Sequence, residues 1–227
     1  MSLKRTAAKK YNRIKKHLLF FLLPLIALLV VSCFGEKHDK NLRHFIPNVD
    51  AQGNVIVSPK GDTIWHKIPD FSFLDENGEI VTEAYIDGNI VVVDFFFATC
   101  PSICIPMSTN LSKIQNHFKN ASNVKILSHT VDPEHDTPQV LKAYAKSYDA
   151  DATKWKFVTG DKKALYKQAR VGYYITVLEG DGGENDFIHS EKLVLIDKNR
   201  NIRGFYRGTV EEDIGVLISD IETLRKE

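Results

Sequence analysis

Two cysteines four residues apart, Cys100 and Cys104, are the side chains here whose type and spacing could do chemistry. On a helix, positions i and i+4 share a face, so the two sulfurs can meet in a disulfide or converge on one metal ion. The pair follows an apolar run and precedes a helical pattern, which puts Cys100 beside a helix N-terminus. There, unpaired N–H groups and the positive end of the helix dipole favour thiolate over thiol. The alternative is a pair of inert buried cysteines, since Cys is often buried. Two of them at one strand-to-helix junction favour the chemical reading.

The elements that must position this pair are legible around it. Residues 90–97 are continuously β-branched or aromatic apart from Asp94, as expected of a central strand buried on both faces. Leu111, Ile114 and Phe118 then recur with helical spacing. Upstream, Phe71–Leu74 and Glu79–Val81 flank Asn77-Gly78, a hairpin signal. Downstream, Val124–Val131 reads as a second strand stopped by Asp132-Pro133. Thr137 caps a helix whose first residue is Pro138 and whose inner face is Leu141, Tyr144 and Ala145. A strand at Trp155–Val158 leads to an Asp161-capped helix through Leu165 and Ala169, and Tyr174–Leu178 reads as a further strand. The acidic, glycine-rich stretch Glu179–Asp186 lacks the oxygen spacing of a calcium loop and reads as a connection. Leu193–Asp197 and Ile202–Tyr206 form a hairpin, and Ile214, Leu217, Ile218, Ile221 and Leu224 line a closing helix. No internal repeat is visible. The order predicts an α/β, thioredoxin-like fold, a central mixed β-sheet flanked by helices with an N-terminal β-hairpin extension.

The 227 residues carry 30 basic and 29 acidic groups, a balance that hides an asymmetry. Seven of the basic residues lie within residues 1–17 and none of the acidic ones does; without them the chain is acidic, which leaves no electrostatic footprint for nucleic acid. Leu18–Val31 follows without a charge. It is shorter than the roughly 20 apolar residues of a spanning helix and is interrupted by Pro24, so an export signal over residues 1–32 is expected. Val30-Val31-Ser32-Cys33 resembles a bacterial lipoprotein box, with Cys33 as the lipidated first mature residue; the alternative is an uncleaved anchor. Either places the remainder outside the cytoplasm, on the periplasmic side of a bacterial membrane. Residues 33–64 then read as a flexible tether and 65–227 as the folded domain. His38, His44 and His66 read as polar groups rather than ligands.

Three motifs together resemble the Sco/SenC family: Phe97-Ala98-Thr99-Cys100-Pro101-Ser102-Ile103-Cys104, residues 131–138 (VDPEHDTP), and Asp186-Phe187-Ile188-His189-Ser190 followed by Leu195-Ile196-Asp197. The resemblance spans about residues 65–225. It implies a thioredoxin-like domain anchored outside the cytoplasm, binding copper through two cysteines and one histidine, and assisting assembly of the dinuclear copper centre of cytochrome c oxidase. By position the ligands are Cys100, Cys104 and His189. Family members usually have proline directly after the second cysteine; here Ile105 intervenes before Pro106. Two thiolates and an imidazole suit Cu(I), and an added group accommodates Cu(II), whereas structural zinc normally takes four ligands.

The resemblance also implies partners: the copper-bearing oxidase subunit, a thiol reductant protein and, through the lipid anchor, a membrane. A thiol-disulfide oxidoreductase working through a Cys100–Cys104 disulfide is the competing reading, and a peroxide-reducing or redox-sensing protein a third. His129, His135 and Met107 are weaker ligand candidates, and Asp132 and Asp136 read as turn and capping groups.

Overall fold

The computed structural model describes residues 41–175 and 190–227. The Asn77-Gly78 turn joins β1 (Ser72–Asp75) to β2 (Ile80–Thr82), with Gly78 at φ 78°, the left-handed conformation the turn requires. The long apolar run is β3 (Ile90–Phe96), buried at every position. It is followed by α1 (Cys104–His117), β4 (Val124–Thr130), α2 (Pro138–Ser147), β5 (Trp155–Thr159) and α3 (Lys162–Lys167). The chain closes with β6 (Lys192–Ile196), β7 (Ile202–Arg207) and α4 (Glu211–Leu224). Thr137 and Asp161 cap α2 and α3, accepting from the N–H groups of Val140 and Ala164.

The seven strands of the described residues form one sheet in the order β2-β1-β5-β4-β3-β6-β7. β3, β4 and β5 run parallel through crossover helices, while β1 and β6 pair antiparallel on either side of that block. This is the expected thioredoxin-like arrangement, and β3 lies in the sheet interior with a neighbour on each side. α4 packs beside α1 through Lys113–Glu211 and through Arg225 over the Phe118 ring.

Three expectations are corrected. The described part of the stretch read as a strand, Tyr174 and Ile175, is not strand: α3 runs into a wider turn over Gln168–Gly172, and Tyr174 then takes φ 52°, which breaks an extended path. Cys100 and Cys104 do not share a helix face as positions i and i+4: Cys100 sits in the turn before the helix, and Cys104 is the first helical residue.

The third correction is that a short repeat does exist. Residues 48–55 and 56–63 are two octapeptides of like geometry, followed by Ile64-Trp65. The N–H of Asn48 donates to Ile64 O (2.8 Å), that of Ile64 to Ile56 O (2.9 Å) and that of Ile56 to Asn48 O (2.8 Å), a closed ring of three bonds that links three chain segments, with single β-bridges beside them. Each octapeptide turns the same way: Gly53 N–H donates to Asp50 O, and Gly61 N–H to Ser58 O. The Asp50 carboxylate and the Ser58 hydroxyl accept the Asn54 and Asp62 N–H groups. Gly53 and Gly61, at φ 85° and 88°, supply the left-handed residue of each turn. The described part of the expected tether is therefore hydrogen-bonded ribbon.

The ribbon is fixed to the domain at both ends. Lys67 bridges Asn201, Ile68 N–H donates to Arg200 O (2.9 Å), and the His66 ring bonds Gly172 O (2.9 Å). At its start, buried Arg203 of β7 clamps the chain: its guanidinium donates to the carbonyls of Leu42 and Arg43 and to the carboxylates of Asp197 and Glu227. Glu227 in turn accepts from Leu42 N–H (2.9 Å).

Candidate metal centre

β3 delivers the site. Where it ends at Phe96, residues 97–103 turn sharply, with Cys100 N–H donating to Phe97 O (3.1 Å), and α1 begins. Residue 103, at the N-cap position, has no side chain that caps the helix. The helix's unpaired N–H donors are therefore available to sulfur. Both cysteines are nearly buried, at 5% and 4% exposure, and both are free thiols.

The two sulfurs are inequivalent. Burial works against a Cys100 thiolate, but the Cys104 thiol, the N–H groups of Ser102 and Cys104 and the Ser102 hydroxyl hydrogen-bond to the Cys100 sulfur and together hold its pKa below the ordinary value. Burial and the negative Cys100 sulfur push the Cys104 thiol up, despite a bond from Phe97 N–H. The expected lowering of Cys100 holds, and its source is local N–H and thiol donors. The pair thus presents one sulfur that favours the thiolate and one that favours the thiol, and binding a metal ion or forming a disulfide requires both to lose their protons.

The 131–138 segment does more than turn. Asp136 is fully buried, and its carboxylate accepts from the Thr130 hydroxyl (2.5 Å), from Ala98 N–H (3.1 Å) and from the His135 ring (3.0 Å). It thereby ties the loop after β4 to the turn that carries Cys100. Reading Asp136 as a capping group missed this, because the bond to Ala98 crosses 38 residues. His135 itself stays at the surface, its pKa raised by the Asp136 carboxylate.

His129 lies elsewhere: it is fully buried among Phe71, Phe73, Phe95 and Tyr173, with ring centroids 5.0–6.1 Å away, and burial lowers its pKa to about 3. It is a neutral core residue. Met107 is likewise fully buried. His44 stacks on Trp65, and His66 bonds Gly172 O.

Behind the dithiol, Asp94 of β3 is buried and takes a hydrogen bond from the Ser128 hydroxyl, which accepts from the Trp155 indole (2.8 Å). Its second carboxylate oxygen has no partner, and burial pushes its pKa up to about 7. This group was not singled out in the sequence; a lone Asp inside an otherwise apolar strand was the available signal.

His189, Cys33, His38 and the acidic loop Glu179–Asp186 lie outside the described residues. Among the described residues no group of three or more His, Cys, Asp and Glu side chains converges as a metal site, and no helix is long and apolar enough to cross a membrane. The described donors at the site are thus the two sulfurs, soft ligands that fit a thiophilic ion such as Cu(I).

Comparison with known proteins agrees with this fold. The solved structure of a SCO1/SenC family lipoprotein from Bacillus anthracis matches with 28% identity and a TM-score of 0.65 over 71% of this chain and 95% of that one. BsSco, described with a disulfide switch and as a member of the Sco family of cytochrome c oxidase assembly proteins, matches with 26% identity and a TM-score of 0.61 over 70% and 94%. Arabidopsis thaliana ScoI with copper bound matches with 25% identity and a TM-score of 0.59 over 71% and 100%. The SCO1/SenC family model matches residues 62–226, from the end of the ribbon through α4, and the chain belongs to that family.

Proposed function

We propose that this protein is a membrane-tethered extracytoplasmic metallochaperone that carries copper as cargo on Cys100, Cys104 and His189 and delivers it to the copper-bearing subunit of cytochrome c oxidase. The observation that carries the reading is the reduced dithiol, one sulfur favoured as thiolate, shielded at the strand-to-helix junction. The copper-bound Arabidopsis relative supports the cargo, and the oxidase-assembly role of BsSco supports the recipient. The Bacillus anthracis lipoprotein supports residues 1–32 as a lipoprotein-type signal, Cys33 as the lipidated residue and residues from 65 on as the copper-binding domain.

Two thiolates hold Cu(I) without a third ligand, so His189 matters most for Cu(II), which prefers nitrogen and higher coordination. Each thiol that binds must lose its proton, and the second is the more reluctant, so loading releases protons and weakens as pH falls. Copper titration of the reduced protein against His189→Ala and Cys100→Ser tests the assignment. Cys100→Ser abolishes tight binding and His189→Ala weakens Cu(II) more than Cu(I); equal binding of both ions by wild type and His189→Ala would remove the histidine from the site.

The inequivalence of the two thiols favours a second reading on the same residues. In it the Cys100 thiolate attacks a target disulfide and Cys104 then displaces the target. The target gains two electrons from the pair, with one proton from Cys104 and one from solvent, and leaves as two thiols; a Cys100–Cys104 disulfide remains for a thiol reductant protein to reduce. Retention of exchange activity in His189→Ala alongside lost Cu(II) binding would show that both uses coexist.

A further inference from the structure

The ribbon carries an unusual share of exposed apolar surface. Of the twelve large hydrophobic side chains exposed among the described residues, six fall within residues 45–64: Phe45, Val49, Val55, Ile56, Val57 and Ile64. Single exposed hydrophobics are ordinary, but such a cluster marks an interaction site. We propose that this ribbon seats in the interfacial zone of the bilayer to which the chain is tethered, and so holds the dithiol on the side of the domain away from the lipid. The inference rests on the tethered reading above.

Three observations select lipid over a protein groove. Val55, Ile56 and Val57 are consecutive and all exposed, and successive side chains of an extended strand point to opposite faces. A flat protein partner covers one face; a fluid interface covers both. Next, the ribbon from Phe45 to Lys67 has two acidic and two basic residues, Asp50, Asp62, Lys60 and Lys67, so there is no charge for an oppositely charged partner to read. The Asp50 carboxyl, held below its usual pKa by hydrogen bonds from Asn54, stays ionised, which limits seating to headgroup depth, where it remains hydrated. Finally, Phe45 is only twelve positions beyond Cys33, a reach of at most about 40 Å, so the ribbon lies within a short stretch of chain of the expected anchor.

The geometry of the sheet gives this seating a consequence. Besides the His66 bond to Gly172 O, the ribbon is attached through Lys67 and Ile68 at the turn between β6 and β7, which lies at the N-terminal end of β3: Lys198 O accepts from Gly88 N–H just before β3 begins. The dithiol follows the other end of β3, about 20 Å along the strand at roughly 3.3 Å per residue.

The test uses the full-length protein in zwitterionic phosphatidylcholine vesicles containing acyl-brominated lipid. Of its two tryptophans, Trp65 lies in the ribbon, bridged to Pro47, and Trp155 is fully buried in the core. Trp65 emission, taken as the difference from Trp65→Phe, falls by about half, because a surface seated some 5–10 Å into the boundary is within contact range of bromine. Quenching persists at high salt, and Val55→Asp/Val57→Asp abolishes it while the protein still floats with the vesicles. Flotation of wild type without Trp65 quenching, or undiminished quenching in the double variant, overturns the ribbon proposal and leaves the tether standing. Failure of wild type to float overturns both.

Discussion

Asp94→Asn isolates a buried titratable group and gives the sharpest test of the core behind the dithiol. Burial raises the Asp94 carboxyl from 3.8 to about 7. A carboxyl whose folded pKa is raised contributes stability that is fully present below its unfolded pKa and is lost as pH rises through the folded one. The loss between pH 3.8 and 7 is about 1.4 kcal/mol per unit, or about 4 kcal/mol in all. His129 has the opposite sign. Burial lowers it from 6.5 to about 3, so its contribution is present above pH 6.5 and is lost as pH falls, by about 5 kcal/mol. Between about pH 4 and 6.5 the two slopes nearly cancel, and wild type shows little trend from this pair. Asp94→Asn removes one slope and leaves the other. Urea unfolding of the reduced, metal-free protein, followed by the Trp155 emission, measures both variants from about pH 4 to about pH 8. The new amide also leaves an unpaired N–H group where Asp94 has an unpartnered oxygen, a pH-independent offset that the comparison subtracts. The stability of Asp94→Asn relative to wild type rises by about 4 kcal/mol across the range. A difference constant to within about 1 kcal/mol would mean that Asp94 is ionised in the core at neutral pH, and would refute the reasoning.

Asp136→Ala strips the acceptor from Ala98 N–H, Thr130 and His135; unfolding shows a loss of about 2–5 kcal/mol, and a loss under about 1 kcal/mol would deny Asp136 its structural part. Iodoacetamide at neutral pH modifies Cys100 before Cys104, because only the first has its pKa lowered; peptide mass mapping that found Cys104 first would reverse the assignment of nucleophile. Cys33→Ser yields an unprocessed or released protein on membrane fractionation, whereas unchanged processing would favour the uncleaved anchor.

Local signals carried most of the fold. Asn77-Gly78, Thr137-Pro138 and Asp161 each act within a few residues, so the chemistry of the turn or cap is written where it is used. β3 was legible because a strand buried on both faces has no polar alternation to read. What escaped depended on distant partners. Tyr174 lies in a β-rich stretch, yet the wide turn before it sets its backbone. Asp136 looks like any loop carboxylate until Ala98 is beside it. The octapeptide repeat conserves little residue identity beyond its glycines, and what recurs is the role of each position: a turn acceptor at Asp50 and Ser58, and a left-handed residue three positions on.

The Arg203 clamp also determines where mechanical load goes. A pull on the chain upstream of residue 41 meets the Leu42 and Arg43 carbonyls, passes to the guanidinium and is taken up by β7, the edge strand, and by Glu227 beyond α4. β6 stands between that strand and β3. A domain pulled from that end is therefore loaded first along its margin, and the strand that ends at the dithiol is spared the first strain.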